Sequence, residues 1–147
     1  MVTEDRHCHS ASVEVAAPAE EAFDYLADGL RQGDWTLGAV ERREVADGLF
    51  VGRSMFDGSE VYVRIAADRD HLLVACSVGP APDRLLPRIW VRVVPGRDLE
   101  RPAGTCVVTL LAWRPAGQSD DSWRLTRVSH EAEIHLVKGL LERGGRA

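Results

Sequence analysis

Apolar residues recur along the chain with two different periods, and each period predicts one type of element. Residues 12–16 alternate apolar and polar side chains, as in a strand with one buried face. Residues 19–27 instead place Ala22, Phe23 and Leu26 at helical spacing, after a proline that suits the first turn of a helix. Glycine and aspartate residues then interrupt this helix at 28–34, which leaves room for a second short helix.

Between residues 39 and 114 the period becomes that of strands. Six strands are predicted, over residues 40–45, 49–56, 60–66, 72–78, 88–94 and 105–114. Turns rich in Asp, Gly and Pro separate them, and such short connections favour an antiparallel meander. Val61, Val63 and Ile65 alternate with polar neighbours, which indicates that one face of the sheet is buried.

The helical period returns at the end of the chain. Residues 122–143 predict one long helix, with Ser122 or Asp121 as its N-cap and Gly144-Gly145 after its last turn. On a helical wheel, Leu125, Val128, Leu136 and Leu140 lie close to Ala132, and Val137, Ile134 and Leu141 extend the apolar face past half of the circumference.

These elements predict an α+β fold. It consists of a curved antiparallel sheet of about seven strands that grips a long C-terminal helix, with one or two short helices after the first strand. The last helix is the only element long enough to cover the apolar face of the sheet, and a space is expected between them. We expect a single domain over residues 11–147, preceded by a flexible N-terminus at 1–10.

Composition excludes several classes of protein. The chain has 147 residues, of which 45% are hydrophobic and 28% charged, as in an ordinary one-domain globular protein. Its net charge of −5 argues against binding to nucleic acid or to anionic membranes. No apolar stretch reaches the length of a membrane span, and the first ten residues have no apolar signal region. The expected localisation is cytoplasmic, without stable membrane insertion.

Three segments together resemble a known superfamily. They are residues 13–26 (VEVAAPAEEAFDYL), Trp35 after the short helical segment, and the closing helix at 130–142 (HEAEIHLVKGLLE). In this order they are similar to the helix-grip superfamily called SRPBCC. That group includes START lipid-transfer domains, birch-pollen-allergen-like proteins and polyketide cyclase/dehydrase-like proteins. The resemblance extends from about Ala11 to Arg143. It implies a cavity for an apolar small molecule, with Trp35 at its mouth, but no particular reaction.

The informative residues of the last helix are polar ones on its buried side. Glu133 lies near the middle of that side, with Ser129 and His130 close by. Glu133 could form the polar end of an apolar ligand pocket, where burial would raise its pKa and suit it to acid/base chemistry. Alternatively, Glu133 is a structural residue paired with an arginine such as Arg53 or Arg92.

The predicted site follows from this face and from the inward face of the sheet. The candidate catalytic residues are Glu133 and His130. The candidate ligand-binding residues are Trp35, Met55, Val63, Val91, Trp113, Thr126, Ser129, Glu133 and Val137. No metal site is predicted, because His130 and His135 are five residues apart and diverge around the helix. No cofactor is expected either.

Three functions remain open at this point. The first is binding of a small hydrophobic molecule of lipid, polyketide or aromatic type between sheet and helix. The second is a cyclase or dehydratase that uses an acid/base residue in the same cavity. The third is a partner-binding or homodimeric helix-grip protein whose cavity is filled. The loop at 79–87 is a candidate lid or partner contact.

Overall fold

A computed structural model describes residues 6–144, in which seven strands and two α-helices alternate with two short 3-10 helices. In chain order the elements are β1 (Cys8–Val15), α1 (Ala19–Ala27), a 3-10 helix (Arg31–Asp34), β2 (Val40–Ala46), β3 (Leu49–Arg53), β4 (Glu60–Asp68), β5 (Leu73–Gly79), β6 (Leu86–Pro95), a second 3-10 helix (Gly96–Leu99), β7 (Cys106–Trp113) and α2 (Asp120–Glu142). The predicted α+β architecture is confirmed, including the short helices after the first strand.

All seven strands form one antiparallel sheet in the order β1-β7-β6-β5-β4-β3-β2. The strands from β2 to β7 are a meander, and β1 joins β7 at the far edge. Side chains of β7 alternate regularly, so that Cys106, Val108, Leu110 and Ala112 are buried on the inner face. α1 packs at one end of this face, where Phe23 and Leu26 are buried.

The first strand begins earlier than predicted. Cys8 pairs with Trp113, and His9 with Ala112, so residues 8–10 belong to the sheet rather than to a flexible terminus. The pairing satisfies backbone groups that would otherwise be exposed at the edge of β7. The remaining expectations for residues 1–5 and for Gly145 fall outside the described residues.

β3 is shorter than predicted, because it ends at Arg53 instead of residue 56. The chain turns immediately afterwards: the N–H of Gly58 donates to the carbonyl of Ser54, and Gly58 adopts a positive φ of 75°. Glycine tolerates this left-handed conformation without a Cβ clash. Met55 and Phe56 therefore lie in an exposed turn and not in a strand.

α2 begins at Asp120, and its N-cap is Ser119, not Ser122 or Asp121. The hydroxyl of Ser119 accepts a hydrogen bond from the N–H of Ser122. The helix packs mainly on β1 and β7, at one side of the sheet. It consequently leaves the inner face of β4–β6 partly uncovered.

The buried face of α2 is narrower than the predicted apolar face, and Ala132 lies outside it. The structure buries Glu133, Val137, Leu140 and their neighbours along the helix, whereas Ala132 is exposed. A helical wheel shows which residues share a face, but the docking direction is decided by contacts with β1 and β7. Three further apolar residues of the predicted face are exposed, namely Leu125, Val128 and Leu136.

Candidate functional site

A cavity of about 420 Å³ lies between the sheet and α2. Its apolar wall comes from the inner face of four strands, and its members are Val61, Val63, Cys76, Val78, Ile89, Val91 and Leu110. Trp35 and Ala39 line it from the segment before β2. The third hypothesis required an interior filled by side chains, and this cavity is open instead.

Glu133 is the acidic group of α2 in this cavity. It is only 5% exposed, and its Oε2 atom accepts a hydrogen bond from the main-chain N–H of Leu37 at 2.8 Å. Burial raises the pKa of Glu133 to about 7, although the Leu37 hydrogen bond and the positive charge of Arg42 oppose this rise. The carboxyl group can therefore exchange a proton near neutral pH.

His130 stands one turn before Glu133 and is also buried. Its Nε2 atom lies 3.8 Å from Oε1 of Glu133, which is too long for a hydrogen bond. Burial lowers the pKa of His130 to about 4, and electrostatic interactions with Arg88 and His9 act in the same direction. The imidazole is therefore neutral at pH 7. Its Nδ1 atom is buried and makes no hydrogen bond within the described part of the chain.

A second, partly buried charge, Arg42, is held by neutral groups. Its guanidinium donates to the carbonyl of Ala39 at 2.9 Å, to Oε1 of Gln32 at 2.6 Å and to the hydroxyl of Thr36 at 3.1 Å. Gln32 is fixed in turn, because its amide donates to the carbonyl of Leu26. Burial lowers the pKa of Arg42 to about 10.

This arrangement differs from the arginine pairing considered for Glu133. Arg53 pairs instead with Glu41 at 2.9 Å, and Arg92 donates to the carbonyl of Val93. Arg42 is the arginine whose charge acts on Glu133. The sequence analysis missed both Arg42 and Gln32. No local pattern marks them, since their proximity depends on how the loops before β2 fold.

Arg88 is the third charged side chain of the lining that is partly withdrawn from water. Its Nε atom donates to the carbonyl of Trp113 at 3.0 Å, and Nη2 donates to Oε1 of Gln118 at 3.1 Å. Both acceptors are neutral, and within residues 6–144 no carboxylate forms an ion pair with Arg88. Burial lowers its pKa. The cavity therefore contains a cation without an acidic partner among these residues.

Most of the predicted site residues meet at this cavity. Those that line it are Trp35, Val63, Val91, Thr126, Ser129, His130 and Glu133. Trp35 is 3% exposed, and its Nε1 atom makes no hydrogen bond with the described residues. Trp35 and His130 thus both line the cavity, and each has one buried nitrogen atom that makes no hydrogen bond with the described residues.

Three predicted residues lie elsewhere. Met55 is 60% exposed in the turn after β3. Trp113 lies on the outer face of the sheet because side chains alternate along β7, and its ring contacts that of Trp90 edge to face at 5.1 Å. Val137 is fully buried, but it packs in the hydrophobic core rather than on the cavity wall.

Searches within residues 6–144 find no cluster of three or more metal-ligating side chains. In the same range no helix is both long and apolar enough to cross a bilayer.

Comparison with solved structures defines the class of fold. The chain is similar to the aromatase/cyclase ZhuI from Streptomyces sp. R1128, with a TM-score of 0.66 and 20% identity over 95% of this chain and 96% of that one. It is also similar to a START superfamily protein from Mycobacterium smegmatis, with a TM-score of 0.59 and 12% identity over 94% and 96% of the two chains.

A third similar structure is BexL, a di-domain aromatase/cyclase of the BE-7585A biosynthetic pathway, with a TM-score of 0.70 and 19% identity. The match covers 92% of this chain but only 46% of BexL, so the chain spans about half of that protein's length. No protein-family model matches the chain, and no curated protein matches it. At these identities the likeness shows the fold, which is the START-like helix-grip fold that the sequence predicted.

Proposed function

We propose that the cavity binds a small molecule with an apolar, ring-containing body and an oxygen-bearing polar end. The observation that carries this proposal is a cavity of about 420 Å³ whose sheet wall is apolar and whose lining also includes polar side chains, among them Glu133, His130 and Arg88. Ligand sites in proteins typically have this size and this distribution of polarity. The likeness to ZhuI and BexL, both described as aromatase/cyclases, supports a ligand of polyketide or aromatic type.

The polar groups of the cavity lining favour a ligand that carries an oxygen atom over one that is wholly apolar. Trp35 offers an N–H donor and His130 offers a ring nitrogen, and neither has a partner among the described residues. A buried polar group without a hydrogen bond is costly, so a ligand that satisfies it gains affinity. The positive charge of Arg88 further favours an oxygen that carries negative charge, such as a phenolate, enolate or carboxylate.

Fluorescence titration with naphthol tests this proposal, because naphthol has two apolar rings and a hydroxyl group that can bond to the polar groups of the lining. Val78→Phe places a larger side chain in the cavity wall and should abolish binding. Val107→Phe makes the same change on the outer face of β7 and should leave binding unaltered. Equal affinity of the Val78→Phe variant and the original protein would refute binding in this cavity.

A second candidate function is acid/base catalysis in the same cavity. Glu133, with a pKa near 7, is 3.8 Å from a neutral histidine, and both groups are buried at the ligand site. In a cyclase or dehydratase acting on a poly-ketone, the ionised carboxylate would take a proton from the carbon beside a ketone. The protonated carboxyl group would later return that proton to the oxygen that becomes a hydroxyl group or leaves as water.

Deuterium exchange at the acidic carbon of β-tetralone isolates the proton-abstraction step. The protein should accelerate this exchange in D₂O, and Glu133→Gln should remove the acceleration while naphthol still binds. Thr126→Val, also in the lining, is the matched control and should keep the acceleration. Exchange that is unchanged in Glu133→Gln would exclude Glu133 from this chemistry and leave the binding function standing.

A further inference from the structure

α2 carries a second apolar face, and no other part of the described structure covers it. Leu125 and Leu136 are each 42% exposed and Val128 is 57% exposed, with the exposed Ala132 between them. At 100° per residue these four positions lie within about 80° of one another, on the flank of the helix beside its buried face. The stripe therefore faces solvent over residues 125–136, about half of the length of the helix.

The stripe is palindromic in its spacing. Around Ala132, Val128 and Leu136 are each four residues away, and Leu125 and Gly139 are each seven residues away. The same line ends in opposite charges, eleven residues from Ala132 on either side, at Asp121 and Arg143. Two antiparallel copies of this helix that cross at Ala132 would therefore place the positions of one stripe level with the symmetric positions of the other.

We propose that the α2 stripe is a self-complementary contact through which two copies of this chain form a two-fold symmetric, antiparallel dimer. The axis passes at Ala132, whose small side chain lets the two helices approach closely. Val128 then lies level with Leu136 of the second copy, and Leu125 with its Gly139. A two-fold axis makes every such contact occur twice: residue i of the first copy contacts residue j of the second, and residue j of the first contacts residue i of the second.

Charge complementarity selects a second copy as the occupant of the stripe. In the antiparallel arrangement, Asp121 of each copy lies level with Arg143 of the other, so two opposite-charge pairs close the ends of the contact. The Asp121 side chain is 94% exposed and has only a weak contact to Arg124 at 3.7 Å. Arg143 forms no ion pair within residues 6–144. A parallel arrangement would instead place like charges together.

The size of the contact predicts a reversible dimer. Stable interfaces bury about 800 Å² per partner, and one helical stripe with a few apolar side chains buries a smaller area. Leu125 also lines the cavity, so the contact lies beside the ligand site.

Sedimentation velocity of the full chain from low micromolar to millimolar concentration tests the dimer. The mass should rise from 16.2 kDa toward twice that value, and Ala132→Glu should hold it at the monomer throughout. Asp121→Arg should weaken the association several-fold, and the exchange Asp121→Arg with Arg143→Asp should restore it. A chain that remains monomeric, or a dimer that survives Ala132→Glu, would overturn the proposal.

Cysteine cross-linking tests the position of the axis. In a Cys8→Ser background, whose other two cysteines are buried, Ala132→Cys should form a disulfide-linked dimer rapidly under mild oxidation. His135→Cys is the matched control, because it is also exposed on α2 but lies outside the stripe, and it should cross-link much more slowly. Equal rates for the two variants would show that the helices do not meet at Ala132.

Discussion

The main-chain N–H of Leu37 donates a hydrogen bond of 2.8 Å to Oε2 of Glu133, although 96 positions separate them in the chain. This contact joins the segment before β2 to the middle of α2. It gives Glu133 one hydrogen bond in an otherwise desolvating environment. The carboxyl group is therefore positioned firmly, yet burial still raises its pKa to about 7.

The raised pKa of Glu133 predicts how its contribution to stability depends on pH. The folded protein holds this proton up to about pH 7, whereas the unfolded chain releases it near 4.5. Between these values the folded state binds more protons, so its free energy of unfolding falls as pH rises. Glu133→Gln cannot ionise, and its amide oxygen can still accept from Leu37. The variant should gain stability relative to the original protein across this window, by about 3 kcal/mol at pH 8.

Urea unfolding at a series of pH values measures this difference. The two proteins should have the same pH slope below pH 4, where both side chains are neutral. Glu131→Gln, an exposed change on the same helix, should leave the slope unaltered. A constant difference between Glu133→Gln and the original protein at all pH values would contradict the raised pKa.

For His130 the dependence on pH has the opposite sign, so that its contribution to the free energy of unfolding rises with pH. Its pKa is lowered to about 4 from an ordinary value of 6.5, so the folded state binds fewer protons than the unfolded chain between these values. The stability contributed by the neutral imidazole is complete above pH 6.5 and is lost as the pH falls toward 4. His130→Gln should flatten this acid-side loss in the same urea series. His135→Gln, on the exposed side of α2, should not change it.

The buried network around Arg42 predicts a large effect from a small change. Gln32→Leu removes the acceptor that lies 2.6 Å from Nη1 of Arg42 and leaves that atom with the more distant carbonyl of Gly29 at 3.3 Å. The partly buried charge then has one hydrogen bond fewer, which typically costs about 2–4 kcal/mol. Chemical denaturation measures the loss. Gln118→Leu, which removes a comparable acceptor from the more exposed Arg88, should cost less.

Periodicity was sufficient to predict the order of the elements and the burial of Glu133. The alternation along β4 and β7 and the return of the helical period after residue 115 are local signals, and the structure follows them. Glu133 was recognisable because it is a carboxylate on the apolar side of an amphipathic helix.

The direction in which the elements dock was not predictable in the same way. Ala132, Val128 and Leu136 were assigned to the apolar face of the wheel, but α2 packs through the part of that face that contains Val137. Trp113 was assigned to the cavity although its neighbour Ala112 points inward and alternation sends Trp113 outward. The network of Gln32 and Arg42 depends on contacts between distant loops, for which a single sequence has no pattern.

The position of Trp113 leads to its own prediction. Because Trp113 packs against Trp90 on the outer face, Trp113→Ala should destabilise the protein by about 1 kcal/mol or more through loss of an aromatic pair. It should leave naphthol binding unchanged. Trp35→Phe, in the cavity lining, removes both the N–H donor and one ring of the indole and should weaken naphthol binding instead. Loss of binding in Trp113→Ala would contradict the outward orientation.

Gly79, at the end of β5, predicts an unusually costly exchange for alanine. A Cβ atom there would overlap the main-chain oxygen of Arg84, so the loop that follows β5 would have to move. Overpacking of this kind typically costs about 1–3 kcal/mol. Gly38 is the matched control, since a Cβ at that position meets nothing within 4 Å. Thermal unfolding should show a clear fall in Tm for Gly79→Ala and an unchanged or slightly raised Tm for Gly38→Ala, because alanine restricts the unfolded chain. Equal Tm values for the two variants would mean that the 79–87 loop does not pack tightly against the end of β5.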